Sequence, residues 1–438
     1  MRGKPHVLIA GAGIGGLTAA LALLRRGYRV DVYEQATELK EVGAGVQVSA
    51  NGTRALFDLG VGEALRALAC EPREKEIRLW NTGQAWKLFD VGPTSVARWG
   101  YPYFTLYRPD LLNALVDAVR RAAPEAIHLN RKCVGYTLEG AGAGAREDVR
   151  GGAREGVRES AREDKHEGGE ESAREDHREG GPVCLRFADG GQASGDVLIG
   201  ADGVHSKIRA QLWGADAPRF TGCMAWRGIV PMDRLPPRLA RIVGTNWIGP
   251  GGHVVHYPLH GGEVMNFVGV VERDDWQVES WSVRGTHAEC LGDFAGWHAD
   301  VQTLIRNIAT PYKWALMGRE PMARWSQGPV TLLGDACHPT LPFMAQGAVM
   351  AIEDGVILAR ALERYADIAL ALTHYEDARR ERTARVVQGS TANAKRFHSQ
   401  SLSSAGEAEA YIAREFSEAR VKERYDWLFE YDVNQAPV

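Results

Sequence analysis

The N-terminal part of the chain alternates apolar runs and glycine turns in a pattern that predicts a strand, a helix and a second strand. His6 to Ala10 is a short apolar run, Gly15 to Arg26 has helical spacing, and Arg29 to Glu34 alternates apolar and polar residues. A βαβ unit of this kind implies a parallel sheet that is covered by helices. The pattern therefore predicts an α/β fold.

Later segments extend this sheet and add another. Asp196 to Gly200 and Val330 to Gly334 are apolar runs that end at turns containing Gly and Asp. From Gly222 to Val271 the pattern changes to β-rich segments that are broken by Gly and Pro, and from Met350 onward it is mostly helical. We expect a βαβ, Rossmann-like domain with an inserted β-sheet domain and C-terminal helices.

These changes of pattern give the domain boundaries that we predict. The βαβ domain is assigned to residues 1–72, 106–215 and 326–438, the last with the C-terminal helices, and the inserted domain to 73–105 and 216–325.

Residues 140–181 differ from the rest of the chain. Ala-Arg-Glu recurs within them, starting at Ala145, Ala153, Ala161 and Ala173, and apolar side chains are almost absent. Such a composition favours disorder, and the flanking runs 133–138 and 183–188 resemble a hairpin whose turn has expanded. The insertion is interpreted as a tolerated surface loop, because each doubling of loop length costs only about 0.6 kcal/mol. The alternative is an arm that binds a partner.

Composition excludes several classes of function. With 438 residues and a formal net charge of −4, the chain gives no electrostatic reason to expect nucleic acid or a membrane as a partner. The six cysteines contain no CxxC pair, which argues against a disulfide framework or a metal site and fits the cytoplasm. The uncharged stretch from Val7 to Leu24 contains four glycines, so it is interpreted as a turn and helix rather than a signal peptide or membrane span.

The first turn carries the pattern GxGxxG between a strand and a helix. Gly11 permits the tight turn, Gly13 lets the backbone approach a pyrophosphate, and Gly16 lets the helix pack on the strand. Glu34 ends the second strand, where its carboxylate can accept hydrogen bonds from ribose hydroxyls. The four residues together predict a dinucleotide site, without distinguishing NAD from FAD.

Two further motifs resemble those of a known family. Residues 198–209, which begin Leu-Ile-Gly-Ala-Asp-Gly, look like the DG motif of class A flavoprotein aromatic hydroxylases, and residues 333–339, Leu-Gly-Asp-Ala-Cys-His-Pro, look like their GD motif. The three motifs occur in the family's order, and the resemblance spans nearly the whole chain outside 140–181. Salicylate hydroxylase, 3-hydroxybenzoate 6-hydroxylase and 6-hydroxynicotinate 3-monooxygenase are the activities that it resembles most.

The resemblance implies a bound FAD and assigns residues to it. Asp335 would hydrogen-bond the ribityl chain, and Gly347 and Ala348 would open a helix whose N-terminus points at the flavin pyrimidine ring. Asp202 and Arg209 would serve the FAD pyrophosphate region and the access of NAD(P)H.

Two further implications concern the flavin's surroundings. Arg108 matches an arginine that the family places near the flavin, with a surface arginine at a helix start as the alternative. NADH or NADPH would bind transiently, because no second GxGxxG is present.

Substrate residues are predicted from the β-rich segment. His256 is the candidate that accepts the phenol proton, the alternative being a histidine packed within the sheet. Trp226 and Arg227 are placed in a Trp-Arg-Gly turn, where Arg227 either pairs with a substrate carboxylate or supports the sheet.

Three further residues bear on the pocket. Gln47 stands where 6-hydroxynicotinate enzymes carry His, Phe343 replaces a polar residue of some relatives, and His338 is interpreted as structural. The sequence thus predicts a pocket more apolar than those of its relatives.

The resulting hypothesis is an FAD-dependent monooxygenase that uses NAD(P)H and O₂ to hydroxylate a small, hydroxybenzoate-like aromatic acid, with salicylate first and 3-hydroxybenzoate second. We expect a monomer or a homodimer. Oxidation or epoxidation of a non-aromatic natural product, and a regulatory flavin-binding protein, are the alternatives.

Overall fold

The computed structural model of the chain describes residues 3–39, 45–139, 182–275 and 283–438. The predicted disorder of residues 140–181 lies outside the described residues. Within these ranges, no helix has both the length and the apolar character needed to cross a bilayer.

The described residues form strands and helices whose bounds, in chain order, are as follows. The strands are β1 His6–Ala10, β2 Arg29–Tyr33, β3 Gly45–Val48, β4 Glu74–Leu79, β5 Ala85–Asp90, β6 Phe104–Tyr107, β7 Ile127–His128, β8 Cys133–Leu138, β9 Val183–Phe187, β10 Gln192–Gly195, β11 Val197–Gly200, β12 Arg219–Pro231, β13 Gly244–Gly249, β14 Gly252–Leu259, β15 Val264–Glu272, β16 Tyr312–Gly318 and β17 Val330–Leu332. The helices are α1 Ile14–Leu24, α2 Ala50–Asp58, α3 Gly62–Arg66, α4 Gly92–Trp99, α5 Arg108–Ala122, α6 Lys207–Trp213, α7 His287–Asp293, α8 Ala299–Arg306, α9 Gly347–Arg364, α10 Ile368–Phe397, α11 Ala405–Glu415 and α12 Glu418–Phe429.

The first sheet is parallel and has five strands in the order β17-β11-β1-β2-β7. Its central strand β1 is buried because Val7, Leu8 and Ile9 are apolar on both faces, as expected of a parallel strand covered by helices. The glycines and alanines of α1 let that helix pack closely on α9, where Gly355 lies against Ala19. The predicted βαβ unit is confirmed.

The second sheet has seven strands in the order β16-β12-β15-β14-β13-β4-β5. One face packs on α7 and α8 through the apolar residues Trp226, Trp247, Phe267, Phe294 and Leu304. The other face turns towards the first sheet's domain, where Leu341 and Phe343 pack on it. All seven strands lie within 73–105 and 216–325, and we propose these boundaries for the inserted domain, although β6 straddles the boundary at 105.

A smaller hairpin lies beside the first sheet. β8 pairs antiparallel with β9, so that Leu138 lies opposite Val183, and the Glu139 N–H donates to the Pro182 carbonyl at 3.0 Å. The two strands flanking residues 140–181 are therefore neighbours, as the sequence predicts.

A buried group of charges joins α9 to α10. Arg379 donates from Nε to Asp354 Oδ1 at 2.7 Å and from Nη2 to Glu353 Oε2 at 2.6 Å, and all three residues are inaccessible to solvent. Arg382 adds two hydrogen bonds to Glu353, at 2.8 and 2.9 Å. The two arginines lower the pKa of the Glu353 carboxyl against the opposing effect of burial. Adjacent carboxylates on α9 are thus compensated by arginines of α10.

The same carboxylates hold two loops. The second oxygen of Asp354 accepts hydrogen bonds from the Gly334 N–H at 3.1 Å and from His338 Nε2 at 2.6 Å, which is a structural contact for His338. Glu353 accepts from Asn51 Nδ2 at 2.7 Å, at the start of α2. The loop after β17 and the start of α2 are therefore fixed to the same group of charges.

Replacing Arg379 by Leu is expected to lower the free energy of unfolding by about 3–5 kcal/mol, because two buried carboxylates lose their partner. Urea denaturation measures the difference. The control is Arg380→Leu, since that neighbouring arginine is exposed, forms ion pairs with Glu376 and Asp377 on its own helix, and donates to the Ala323 carbonyl at 3.0 Å; it should cost about 1 kcal/mol or less. Equal losses for the two variants would contradict the importance of the buried group.

Candidate active site

Three motif turns lie at the carboxyl ends of adjacent parallel strands. Gly11 follows β1, Asp202 follows β11, and Gly334 and Asp335 follow β17. Because these strands are neighbours, the turns meet at one edge of the sheet, which is where open α/β sheets bind ligands. The structure thus brings together residues that are more than 300 positions apart, as Asp335 is from Gly11.

The glycine turn fits a pyrophosphate. Gly11 has φ +106°, and a Cβ built there would lie 2.3 Å from the carbonyl oxygen of Ala201. A Cβ at Gly16 would lie 2.1 Å from the carbonyl oxygen of Gly11. Gly13 differs, because a Cβ there meets no atom within 4 Å, and it caps the N-terminus of α1. Two glycines are therefore required by packing, and the third faces open space beside unpaired N–H groups.

Glu34 braces this turn. Its carboxylate accepts hydrogen bonds from the backbone N–H groups of Ala12 and Ala36, both at 2.9 Å. The contact with a ribose stays a prediction.

The second turn uses its acidic residue as a cap. The carboxylate of Asp202 accepts hydrogen bonds from Ser206 Oγ at 2.5 Å and from the Lys207 N–H at 2.7 Å, at the start of α6. Arg209 is buried and pairs with Asp216, which also pairs with Arg319 at 2.5 Å. Both predicted residues therefore have partners within the protein, and their contacts with FAD or NAD(P)H stay predictions.

The third turn presents a free carboxylate. Gly334 has φ +65° and is held by Asp354, whereas the side chain of Asp335 is exposed and forms no hydrogen bond or ion pair with any residue that the structure describes. The exposed carboxylate of Asp335 can therefore accept hydrogen bonds from the hydroxyls of a ribityl chain.

Two helix N-termini are joined beside these turns. Gly347 and Ala348 are the first residues of α9, and Gln346 just before them donates from Nε2 to Ser49 Oγ at 3.0 Å, just before α2. Asn51 bonds both Gln346 and Glu353, at 3.2 and 2.7 Å. The positive ends of the two helix dipoles are thus held together, and they could stabilise negative charge on a reduced flavin.

Arg108 is the first residue of α5, directly after β6, and it is partly exposed. β6 pairs with β3 so that Tyr107 lies opposite Gly45. Arg108 is therefore at the start of a helix, as its alternative interpretation predicts. It also directly follows β6, the strand that borders the second sheet.

A row of side chains crosses the second sheet on the face that turns towards these motifs. Its members are neighbours through strand pairing and run from β4 to β12: Ile77, Asn246, Val255, Val268 and Arg227. Asn246, Val255 and Val268 are partly exposed, although their strands are in the interior of the sheet. This row therefore forms the floor of an open cleft between the two sheets.

The structure does not bring His256 to this cleft. Side chains alternate along β14, so His253, Val255 and Tyr257 share the cleft face while His256 lies on the opposite face. There the indole Nε1 of Trp247 donates to His256 Nε2 at 3.2 Å. Burial lowers the pKa of His256 to about 4. His256 is therefore a histidine packed in the sheet, as its alternative interpretation predicts.

The prediction of a turn at Trp226 and Arg227 is wrong, because both lie inside the strand β12. Trp226 is on the face that packs on α7, where its Nε1 donates to Asp293 at 2.6 Å. Arg227 is on the cleft face, with its guanidinium 4.9 Å from the ring centroid of Trp314. Only Arg227 of the two is placed to meet a substrate.

Several hydrogen-bonding side chains border the cleft, and the prediction that it is more apolar than the pockets of relatives stays a prediction. The Tyr103 hydroxyl donates to Gln47 Oε1 at 2.9 Å, and Asn266 Oδ1 accepts from the Gly45 N–H at 3.0 Å. Tyr257 lies against Gly45, where a Cβ would be 2.8 Å from its hydroxyl oxygen. Phe343 adds an apolar side chain that packs on the same face of the sheet.

Lys75 is the residue that sequence reasoning missed most completely. Its stem lies over Gly244, and its ammonium lies 4.9 Å from the ring centroid of Tyr103. It forms no ion pair with an acidic group in the described part of the chain. Burial lowers the pKa of this amine to about 7. A cation without an anion in a polar cleft is suited to an acidic ligand.

His253 is the histidine that β14 presents to the cleft. Its ring lies edge-on to Phe343, with 4.9 Å between centroids. Phe343 belongs to the segment that leads into α9, so His253 lies close to the candidate flavin site.

Comparison with known proteins agrees with these motifs. A family model described as the FAD binding domain matches residues 4–390. The 3-hydroxybenzoate 6-hydroxylase of Polaromonas naphthalenivorans is 36% identical over 433 residues, covering 98% of this chain and 96% of that protein. The 3-amino-4-hydroxybenzoate 2-monooxygenase PtnB3 of Streptomyces platensis is 34% identical over 436 residues, covering 99% and 98%.

Solved structures share the fold. Klebsiella pneumoniae HpxO complexed with FAD and uric acid superposes with a TM-score of 0.75 at 26% identity, covering 99% of this chain and 97% of that chain. A salicylate hydroxylase substrate complex gives a TM-score of 0.74 at 24% identity, with the same coverage.

Gly13→Val is expected to reduce FAD retention strongly, because the side chain would enter the open space beside α1. Asp335→Ala should weaken binding by about 1 kcal/mol or more through one lost hydrogen bond. FAD occupancy after dialysis, read from the flavin absorbance, measures both effects. Gly292→Ala is the control, since a Cβ there also meets no atom within 4 Å but lies in α7. Full occupancy in both site variants would contradict this placement of the cofactor.

Proposed function

The chain belongs to the FAD binding domain family, within the class A flavoprotein hydroxylases, and we propose that it hydroxylates an aromatic ring bearing a carboxylate and a hydroxyl group. It is a flavoprotein monooxygenase with FAD as cofactor. NADH or NADPH is the proposed reductant. Salicylate is the first specific substrate that we propose and 3-hydroxybenzoate the second.

The observation that carries this proposal is that Lys75 and His253 lie on the same face of the sheet, where its register sets them two strands apart and four residues apart along the strands. Lys75, which has no acidic partner among the residues that the structure describes, and the neutral base His253 face the same cleft, and the FAD motifs border it. A hydroxybenzoate has one group for each: a carboxylate for the cation and a phenol for the base. The names of the relatives point the same way, because each describes an enzyme acting on a hydroxylated aromatic acid.

The protein's own part in the reaction follows from these positions. When bound, FAD supplies hydride acceptance from NAD(P)H and the activation of O₂. Lys75 binds the carboxylate, and Arg227, whose charge reaches Tyr257 and favours its ionised form, adds positive charge to the same face of the sheet. Phe343 and the valines of the cleft floor hold the ring and exclude water. His253 takes the phenol proton, which makes the ring more electron-rich.

The proposal is tested on the purified holoenzyme with a panel of hydroxybenzoates, aminohydroxybenzoates and hydroxypyridines, each with NADH and with NADPH. We expect one phenolic acid to accelerate nicotinamide oxidation several-fold, with hydroxylated product formed in step. Benzoate, which lacks the hydroxyl, is the control and should give no product. Peroxide without product across the whole panel would contradict the proposal.

Lys75→Met is expected to raise KM for the carboxylate substrate at least tenfold and to leave kcat within a few-fold, because a binding contact is lost. In the native enzyme the amine is charged below a pKa of about 7, so KM should rise as the pH increases above 7. The variant's KM should not change over that pH range.

Steady-state kinetics between pH 6 and about 8.5, with product quantified, measures both effects. The control is Lys87→Met, on the adjacent strand β5, because that lysine is exposed and pairs with Asp90 at 2.7 Å. If Lys75→Met had the native KM at pH 6, Lys75 would not be the residue that binds the carboxylate. The proposed class of reaction would be unaffected.

A further inference from the structure

A continuous chain of hydrogen bonds leads from the cleft to the surface. His253 Nδ1 lies 2.7 Å from His398 Nε2, and His398 Nδ1 lies 2.9 Å from Glu272 Oε1. Both histidines are at least 95% buried, whereas the Glu272 side chain is 54% exposed. The chain thus begins at the residue that faces the cleft and ends in water.

The chain also determines which ring nitrogens carry protons. An ionised Glu272 only accepts hydrogen bonds, so His398 must carry its proton on Nδ1. A neutral His398 then accepts at Nε2, so His253 carries its proton on Nδ1. Burial lowers the pKa of both histidines, which keeps them neutral at rest. The remaining nitrogen, His253 Nε2, is therefore unprotonated, and its lone pair can accept a proton.

The middle residue is held in place by backbone contacts. His398 is the cap residue at the C-terminal end of α10, and its carbonyl accepts from the Gly251 N–H at 3.1 Å. The Gly251 carbonyl in turn accepts from the Glu272 N–H at 2.8 Å. The C-terminal end of a helix favours a positively charged imidazole, so a proton passing through His398 is stabilised there.

Other titratable groups near these hydrogen bonds either pair with different residues or are neutral. Arg273, next to Glu272, pairs with Asp275 and Asp293 at 2.5 and 2.7 Å. Cys223, on the neighbouring strand, is a buried thiol whose pKa is raised to about 11. Around His253, the packed rings of Phe343 and Phe397 carry no charge.

We propose that His253, His398 and Glu272 form a proton relay that carries the phenol proton of the substrate out of the closed cleft. The proposal rests on the hydroxylation proposed above. The phenol O–H bond breaks as His253 Nε2 gains the proton; the Nδ1 proton of His253 passes to His398 Nε2, and that of His398 Nδ1 passes to Glu272. No electrons are exchanged, and one proton leaves to water for each phenolate formed.

His398 and Glu272 act through His253, and they are positioning and relay residues in this scheme. The value of such a relay is that the cleft can exclude water during the oxygen transfer and still lose a proton.

The test variant is Glu272→Gln in the full-length holoenzyme. Because the residue is at the surface and an amide can still accept from His398, we expect native FAD occupancy and melting temperature. The rate at which the bound phenolic acid loses its proton, followed by stopped flow at the ultraviolet absorbance of the phenolate after a rise in pH, should fall about tenfold, and kcat should fall with it, because an amide cannot take the proton from His398. Glu272→Asp should restore much of the native behaviour.

Glu263→Gln is the matched control, because that exposed carboxylate lies in the turn just before β15, the strand that ends at Glu272, and is outside the series of hydrogen bonds. His398→Gln, which interrupts the middle of this series of hydrogen bonds, should slow the loss of the phenol proton in the same way. A native rate of proton loss and a native kcat in Glu272→Gln would overturn the relay, whereas hydroxylation by the wild-type enzyme would still support the proposed function. A wild-type enzyme that forms peroxide but no hydroxylated product would overturn both.

Discussion

The fold depends on two adjacent carboxylates that are buried in the interior and must be compensated there. Burying an ionised carboxylate costs several kcal/mol unless hydrogen-bonded cations surround it, and Arg379 and Arg382 meet that requirement. The remaining bonds of the pair run in two directions. Asp354 holds the loop that carries Asp335, and Glu353 reaches Asn51 between the starts of α2 and α9. A single group of charges thus fixes both ends of the candidate flavin site.

In the second sheet, the alternation of side chains along each strand determines which residues face the cleft. His253 and His256 are three residues apart, so they lie on opposite faces, one towards the cleft and one towards Trp247. The same alternation separates Arg227 from Trp226. A cleft bordered by Lys75, Tyr103 and Tyr257 is polar enough to orient an acidic ring, and its apolar floor can exclude water from it.

The elements with strong local signals could be predicted from the sequence. The βαβ unit and the hairpin around residues 140–181 follow from glycines, apolar runs and helical spacing, whereas the start of α9 at Gly347 follows from the family resemblance. The face that each strand turns to the cleft could not be predicted, because "His-Val-Val-His-Tyr" offers no periodicity that separates one face from the other. Lys75 was missed for a related reason: between two glutamates it has the pattern of a solvated edge strand, and only the fold places its ammonium over Tyr103.

We expect the ring to lie in the cleft between the FAD motifs and the second sheet, with its carboxylate at Lys75 and its hydroxyl at His253. The decisive measurement is a crystal structure of the wild-type holoenzyme with its preferred phenolic acid. We expect a carboxylate oxygen about 3 Å from Lys75 Nζ and the phenol oxygen about 3 Å from His253 Nε2. A ring bound outside the cleft, or in the cleft with its hydroxyl away from His253 and its carboxylate away from Lys75, would contradict it.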